Sequence, residues 1–190
     1  MYTRNIQLPD TKSFFLFGPR ATGKTSLIKS RYPDALFIDL LDSKLYQLLL
    51  ANPSRLLDLV PSHFDKYIVI DEVQKVPELL NEVHRAIEGP AHHRFILTGS
   101  SARKLRQQGV NLLAGRALTY HLHPLSATEL ATEFALENAL HYGTLPAIFQ
   151  EPNRRDYLHS YVETYLQEEI MQEGLTRNLA AFSRFLEIAS

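Results

Sequence analysis

Cysteine is missing from this chain of 190 residues, and so are long apolar runs and a strong net charge. The absence of cysteine excludes disulfide frameworks, zinc ribbons, iron–sulfur clusters and thiol catalysis. Apolar stretches such as Phe14–Phe17 fall far short of the roughly 18 residues that a membrane span needs. Met1–Asp10 has no long apolar segment of the kind found in secretory signals. We therefore expect a cytoplasmic protein that does not contact membranes.

The charge balance and the apolar content are those of an ordinary globular protein. The 20 basic and 21 acidic side chains leave a net charge of −1, which argues against a protein that coats nucleic acid. Apolar residues make up 45% and charged residues 22% of the chain, so a disordered or fibrous protein is excluded. The length suits one domain, or one domain with a small appendage.

Strand-like and helix-like segments alternate along most of the chain. The predicted strands are Phe14–Phe17, Ala35–Ile38, Tyr67–Ile70, Phe95–Thr98 and Arg116–Leu122. The predicted helical segments between them are Lys24–Arg31, Asp42–Ala51, Pro53–Val60 and Val76–Glu88. Such alternation predicts an α/β fold with a parallel sheet covered on both faces. A break at Tyr142–Pro146 separates the predicted core, residues 1–140, from a small helical region, residues 141–190.

A phosphate-binding loop follows the first predicted strand. Residues Gly18–Thr25 match the P-loop pattern of glycine, four residues and Gly-Lys-Thr. Glycines let the backbone curl so that its N–H groups face a phosphate chain, and the helix that follows adds its positive end. The lysine of this pattern reaches the β- and γ-phosphates, and the hydroxyl ligates Mg²⁺. A chance glycine-rich turn is the alternative, but the flanking strand and helix favour the functional interpretation.

The predicted phosphate contacts form one continuous segment. It comprises Gly18, Pro19, Arg20, Ala21, Thr22, Gly23, Lys24, Thr25 and Ser26.

Two acids directly follow the third predicted strand. Asp71 is the predicted magnesium-side acid, and Glu72 is placed to orient or deprotonate an attacking water. An acidic turn after a strand is common, so these two residues gain weight only together with the P-loop. A glutamate immediately after the aspartate favours AAA+ and related hydrolases over kinases and small GTPases.

A polar segment ends the fourth predicted strand. Ser100 follows Leu97–Gly99 at the carboxyl end of that strand, where ligands of parallel sheets bind. We predict that Ser100 contacts the γ-phosphate or the attacking water. The alternative is that this serine caps the helical segment beginning near Ala102.

Several longer strings resemble one family of proteins. They are Tyr2–Arg4, Phe17–Arg20, Gly23–Thr25, Ile70–Gln74, Leu97–Arg103, Leu113–Arg116 and Pro124–Ser126. With them the chain resembles a prokaryotic family of ATPases in the AAA+/STAND region of the P-loop NTPases. The resemblance implies a three-layer core with sheet order 5-1-4-3-2 and a preference for adenine nucleotides. Members usually continue into a winged helix and a C-terminal domain of unknown function, so it also implies that this chain stops before them.

The resemblance suggests roles for two further residues. Pro146 would touch the adenine, or it would simply initiate a helix after a turn. Arg116 would supply an extra cation at the γ-phosphate, acting on a neighbouring subunit, with Arg20 and Arg103 as other candidates. The alternative for Arg116 is a structural ion pair.

The main prediction is therefore a Mg²⁺-dependent ATPase that binds ATP and ADP. One alternative is a nucleotide-dependent switch with little turnover, in which ATP and ADP stabilise different positions of the helical part. Another is a DNA-associated motor or loader. A homo-oligomer and an unidentified protein partner are compatible with each of these. Nucleic acid would bind only through the C-terminal region that the resemblance places beyond this chain.

Overall fold

The computed structural model describes residues 2–103, 105, 113, 115–165, 181, 184, 185 and 188, without the side chain at 165. The chain divides into two compact units, Met1–Ala131 and Thr132–Ser190. The domain boundary expected at residue 140 stays a prediction. Within the described residues, each helix is too short or too polar to cross a membrane.

The first unit is built on a parallel sheet. Its strands are β1 (Ser13–Phe17), β2 (Leu36–Asp39), β3 (Tyr67–Asp71), β4 (Arg94–Gly99) and β5 (Ala117–His121). They lie in the order β2-β3-β4-β1-β5, and every neighbouring pair is parallel. This is the predicted order 5-1-4-3-2 read from the other edge, so the predicted fold class is confirmed. All residues of β1 and β3 are buried, as expected for strands covered on both faces.

Helices surround the sheet and continue into the second unit. The α-helices are α1 (Lys24–Arg31), α2 (Ser43–Ala51), α3 (Leu79–Glu88), α4 (Ala127–Leu130), α5 (Leu136–Tyr142) and α6 (Arg154–Tyr165). Short 3₁₀ helices cover Pro53–Leu59, Val73–Lys75, Ala131–Glu133 and Pro146–Phe149. The helix predicted from Val76 begins only at Leu79, because the segment Val76–Glu78 accepts bonds from N–H groups three residues ahead rather than four.

Alternate residues of the strands fill two apolar layers. Phe15 and Phe17 of β1 belong to one buried cluster, and Phe14 and Leu16 belong to the other. Helix α3 contributes to the first cluster and α1 to the second. Full burial of one such phenylalanine stabilises the fold by about 2 kcal/mol. An apolar cluster on each face of the sheet gives the predicted three layers, with the sheet between two layers of helices.

The parallel arrangement brings three chain segments to one edge of the sheet. Phe17 pairs with Gly99, and Asp39 pairs with Asp71, so these strand ends lie at corresponding heights. Because the carboxyl ends of parallel strands share an edge, the segments after β1, β3 and β4 meet there. These are the segments that carry the P-loop, the acid pair and Ser100.

Candidate nucleotide-binding site

The segment between β1 and α1 forms a tight loop around the amino end of α1. Ala21 and Gly23 have positive φ angles of 60° and 88°, which curl the backbone there. The backbone N–H of Leu27 donates to the carbonyl of Gly23 at 2.9 Å, so the first helical bond starts from the loop itself. A Cβ atom on Gly18 would overlap the carbonyl oxygen of Leu122, because the chain leaving β5 passes directly against this residue.

Lys24 lies along the inside of the loop. Its Nζ donates to the carbonyl oxygens of Gly18 at 2.7 Å and Pro19 at 3.1 Å. The residue is only 7% exposed. The ammonium group thus lies within the loop, held by carbonyls that a phosphate oxygen would outcompete electrostatically.

Each carboxylate oxygen of Asp71 accepts a hydrogen bond from a threonine hydroxyl. The Oγ1 of Thr25 donates to Oδ2 at 2.8 Å, and the fully buried hydroxyl of Thr98 donates to Oδ1. Hydroxyl and carboxylate oxygens are the hard ligands that Mg²⁺ prefers, usually completed by water and substrate phosphates. Among the described residues, clusters of three or more His, Asp or Glu side chains that could hold a metal do not occur. A metal here would therefore depend on Thr25 and Asp71 and on oxygens from solvent and ligand.

Glu72 adopts a left-handed backbone conformation with φ 60°, which turns the chain sharply after β3. Its backbone N–H donates to Thr98 Oγ1 at 3.2 Å. Its carboxylate accepts a hydrogen bond from the Nε2 of Gln74, a residue that is itself buried. The other amide atom, Gln74 Oε1, is buried without a hydrogen-bond partner. The side chain of Glu72 is thus held by its own turn.

A cavity of about 340 Å³, large enough for a small ligand, lies between the loop and Glu72. Its lining residues are Arg20, Ala21, Gly23, Lys24, Thr25, Ser26, Leu41 and Glu72. The structure therefore brings six of the nine predicted loop residues and the predicted water-activating acid to one cavity.

Ser100 lies beside the first residues of the loop rather than in that cavity. It lines a second cavity of about 500 Å³ together with Gly18, Pro19 and His121. The neighbouring Ser101 accepts the backbone N–H of Arg103 on its Oγ at 3.0 Å. The capping role that the sequence offered for this segment thus falls to Ser101. The predicted phosphate contact of Ser100 stays a prediction.

Arg116 does not lie near the loop of its own chain. It immediately precedes β5, whose first residue pairs with Ser13, at the amino edge of the sheet. There its guanidinium pairs with Glu88, and hydrogen bonds from Arg116 hold the pKa of that carboxyl below its usual value. This is the ion pair that the sequence left open as an alternative, and the action of Arg116 on the γ-phosphate of a neighbouring subunit stays a prediction. Pro146 begins the 3₁₀ helix Pro146–Phe149 of the second unit, and its contact with adenine stays a prediction.

Three residues of this region escaped the sequence reasoning. Thr98 is a strand residue in an apolar run, and Gln74 follows the acid pair without a motif of its own. Arg4 lies far from the loop in sequence, yet it donates to the carbonyl of Thr22 at 2.8 Å. Of the three, only Thr98 could have been predicted as a site residue, because it is a polar residue near the carboxyl end of β4, the strand that pairs with β3.

A family model matches most of the first unit of the chain. The model of a family described as AAA domain matches residues 10–131. No curated protein matches the chain. Similar solved structures include the Walker-type ATPase PABY2304 of Pyrococcus abyssi, with 15% identity, a TM-score of 0.48, and coverage of 81% of this chain and 67% of that one. Since the family model spans well over half of its length, the chain belongs to the AAA domain family.

Proposed function

We propose that this protein binds ATP together with Mg²⁺ and hydrolyses it. The observation that carries the proposal is the convergence of Lys24, Thr25, Asp71 and Glu72 at one edge of the sheet, with Thr25 and Asp71 in direct contact at 2.8 Å. A cation, a hydroxyl and two acids are the groups that phosphoryl transfer to water requires.

The loop supplies the binding of the phosphates. Residues of the loop and the first residues of α1 line the cavity, and a curled loop before a helix amino end favours an anion. Lys24 would exchange its two carbonyl acceptors for phosphate oxygens with a small movement of Nζ. This exchange replaces neutral acceptors by charged ones, and charge-assisted hydrogen bonds are about twice as strong.

Thr25 and Asp71 would hold the magnesium ion, because their oxygens already lie side by side. When bound, Mg²⁺ neutralises negative charge on the phosphate oxygens. Thr98 fixes the orientation of the Asp71 carboxylate from the opposite side. The chain thus presents its acid in one fixed rotamer.

Glu72 would orient the attacking water and accept its proton. It lines the same cavity as Lys24 and Thr25. In this structure Gln74 donates to one carboxylate oxygen of Glu72. A carboxylate has two oxygens and several acceptor positions, so a water molecule would bind at a position that Gln74 does not occupy.

The same hydrogen bond favours a second candidate, a nucleotide-dependent switch with little turnover. If Gln74 keeps Glu72 engaged after ATP binds, the bound nucleotide persists and acts as a conformational signal. The adenine preference, the STAND-type assignment, and a prokaryotic, cytoplasmic setting with protein partners also belong to the proposal, and they rest on the resemblance in sequence.

Substitution of Glu72 by glutamine tests the assignment. We expect E72Q to bind MgATP like the parent and to hydrolyse it at least tenfold more slowly, because the amide cannot accept the proton. The control is E78Q, which neutralises an exposed glutamate just before α3. Binding is measured by calorimetric titration and turnover by phosphate release.

Three results would distinguish the candidates. Parent turnover that drops only in E72Q supports the ATPase. Tight binding without measurable turnover in the parent supports the switch. Equal turnover in E72Q and the parent would remove Glu72 from its role.

A further inference from the structure

We infer that Arg4 is a positioning residue for the phosphate-binding loop, although it lies in the segment before β1. The inference rests on the proposed nucleotide binding and extends it to a residue to which the sequence analysis assigns no role. It starts from three contacts that the Arg4 guanidinium makes with three separate parts of the first unit.

The guanidinium of Arg4 is almost completely enclosed. Its side chain is 7% exposed, as is that of Glu129, whose Oε1 lies 3.1 Å from Arg4 Nε. One terminal nitrogen donates to the carbonyl of Thr22 at 2.8 Å, and the other donates to the carbonyl of His123. The arginine therefore ties the loop to the segment after β5 and to helix α4.

The contact with Thr22 determines the direction of a neighbouring donor. In a planar trans peptide the carbonyl of one residue and the N–H of the next point in opposite directions. Because the Thr22 carbonyl points toward Arg4, the N–H of Gly23 points away from it. The charged donor also polarises this peptide, which makes its N–H a stronger hydrogen-bond donor.

A second contact fixes the same peptide from its side chain. The hydroxyl of Thr22 is buried and donates to the carbonyl of Pro19 at 2.8 Å, within the same loop. With the side chain and the carbonyl both held, the Thr22–Gly23 peptide has little freedom to rotate. A preorganised donor loses less conformational entropy when an anion binds.

Glu129 holds the arginine in turn. Its carboxylate accepts the backbone N–H groups of Asn5 at 2.8 Å and Ser126 at 2.9 Å, besides the contact with Arg4. Burial alone raises the pKa of Glu129, but these hydrogen bonds outweigh it and hold the pKa below its ordinary value. The acid is therefore ionised at neutral pH and fixes the plane of the guanidinium.

Only an arginine can serve all three acceptors at once. Its planar fork presents donors in several fixed directions, whereas a lysine ammonium is a compact charge at the end of a flexible chain. The variant R4K therefore keeps the charge and loses the fork. Comparison of R4A with R4K separates the two contributions.

The test uses two probes and one control variant. Magnesium tripolyphosphate carries the phosphate chain without a base, and MgATP carries both. R55A is the control, because Arg55 makes an exposed pair with Asp58 at 3.4 Å. Titration calorimetry gives the affinities, and thermal unfolding without ligand gives the stability of each variant.

We expect R4A to bind both probes at least tenfold more weakly, and by the same factor. R4K should bind both at least threefold more weakly, and R55A should bind both with the affinity of the parent. An equal loss of affinity for the two probes indicates an effect on the phosphate contacts, because only MgATP carries a base. A purely structural role would instead lower the unfolding temperature without changing the affinity of the folded protein. Parent-like affinity of folded R4A for both probes would overturn the inference and leave the proposed function standing.

Two further outcomes have defined meanings. If R4A does not fold, E129Q replaces it: this variant leaves Arg4 in place and removes the charge that orients it. At least threefold weaker binding of both probes by E129Q supports the inference, and parent-like binding overturns it. Failure of the parent chain to bind either probe would overturn the proposed function and the inference together.

Discussion

The buried hydroxyl of Thr98 is the contact whose removal should show most clearly how the acid pair is built. This side chain is fully enclosed, donates to the Asp71 carboxylate and accepts the backbone N–H of Glu72. Valine has nearly the same shape but neither donates nor accepts. T98V therefore removes both hydrogen bonds while leaving the packing between β3 and β4 filled.

The magnitude follows from the two groups left behind. A hydrogen bond to an ionised carboxylate contributes about 1.5–3 kcal/mol, and an unsatisfied buried N–H costs about 1–3 kcal/mol. The added methyl group recovers less than about 1 kcal/mol. We expect T98V to lower the free energy of unfolding by about 3 kcal/mol, which corresponds to a fall of about 6–12 °C in the midpoint for a protein of this size.

The assay compares T98V with T98S in urea unfolding followed by far-ultraviolet circular dichroism. T98S keeps the hydroxyl and loses one buried methyl group, which costs about 1 kcal/mol. The expected order of stability is parent, T98S, T98V. If T98V were as stable as T98S or more stable, the hydroxyl would not be the group that matters, and the reasoning about Asp71 would fail.

Two further perturbations test the surroundings of the loop. G18A should destabilise the protein and abolish MgATP binding, because its Cβ would overlap the carbonyl of Leu122; parent-like binding and thermal stability would contradict this. Acidification should loosen the Arg4 contact: burial opposes ionisation of Glu129, but its hydrogen bonds lower the pKa in the folded state. The stability this provides is complete above the unfolded pKa of about 4.3 and is lost as pH falls through the lower folded value. Urea unfolding between pH 6 and 3 should therefore show a steeper loss in the parent than in E129Q, and identical slopes would contradict the assignment.

The fold was accessible from the sequence because its signals are local. Apolar runs such as Tyr67–Ile70 are too short and too continuous for helices, and each is followed by a polar turn. Helix α1 occupies the predicted residues Lys24–Arg31, since the P-loop fixes its start and Pro33 follows its end. The spacing of Ser126 and Glu129 is that of a capping box, and the structure has one at the start of α4. The strand order, by contrast, came from resemblance, because pairing between distant strands leaves little trace in one sequence.

The candidate site was predicted where a motif names its residues and missed where the contact spans the chain. The loop and the acid pair were predictable because their residue types and spacing are visible in the sequence. The contact between Arg4 and Glu129 joins residues 125 positions apart, and an arginine before the first strand has no periodicity to mark it. Gln74 was missed for another reason. Its contact with Glu72 depends on the left-handed turn at Glu72, which could not be predicted from the sequence.

The most direct test of the central claim is a calorimetric titration of MgATP into this chain, alongside K24A and K29A. Lys24 lies inside the loop, whereas Lys29 lies on the same helix with its ammonium over the ring of Phe37. The account predicts saturable binding by the parent and by K29A, and binding at least a hundredfold weaker by K24A. Equal binding by all three proteins, or no binding by the parent, would contradict the assignment of this loop as a nucleotide site.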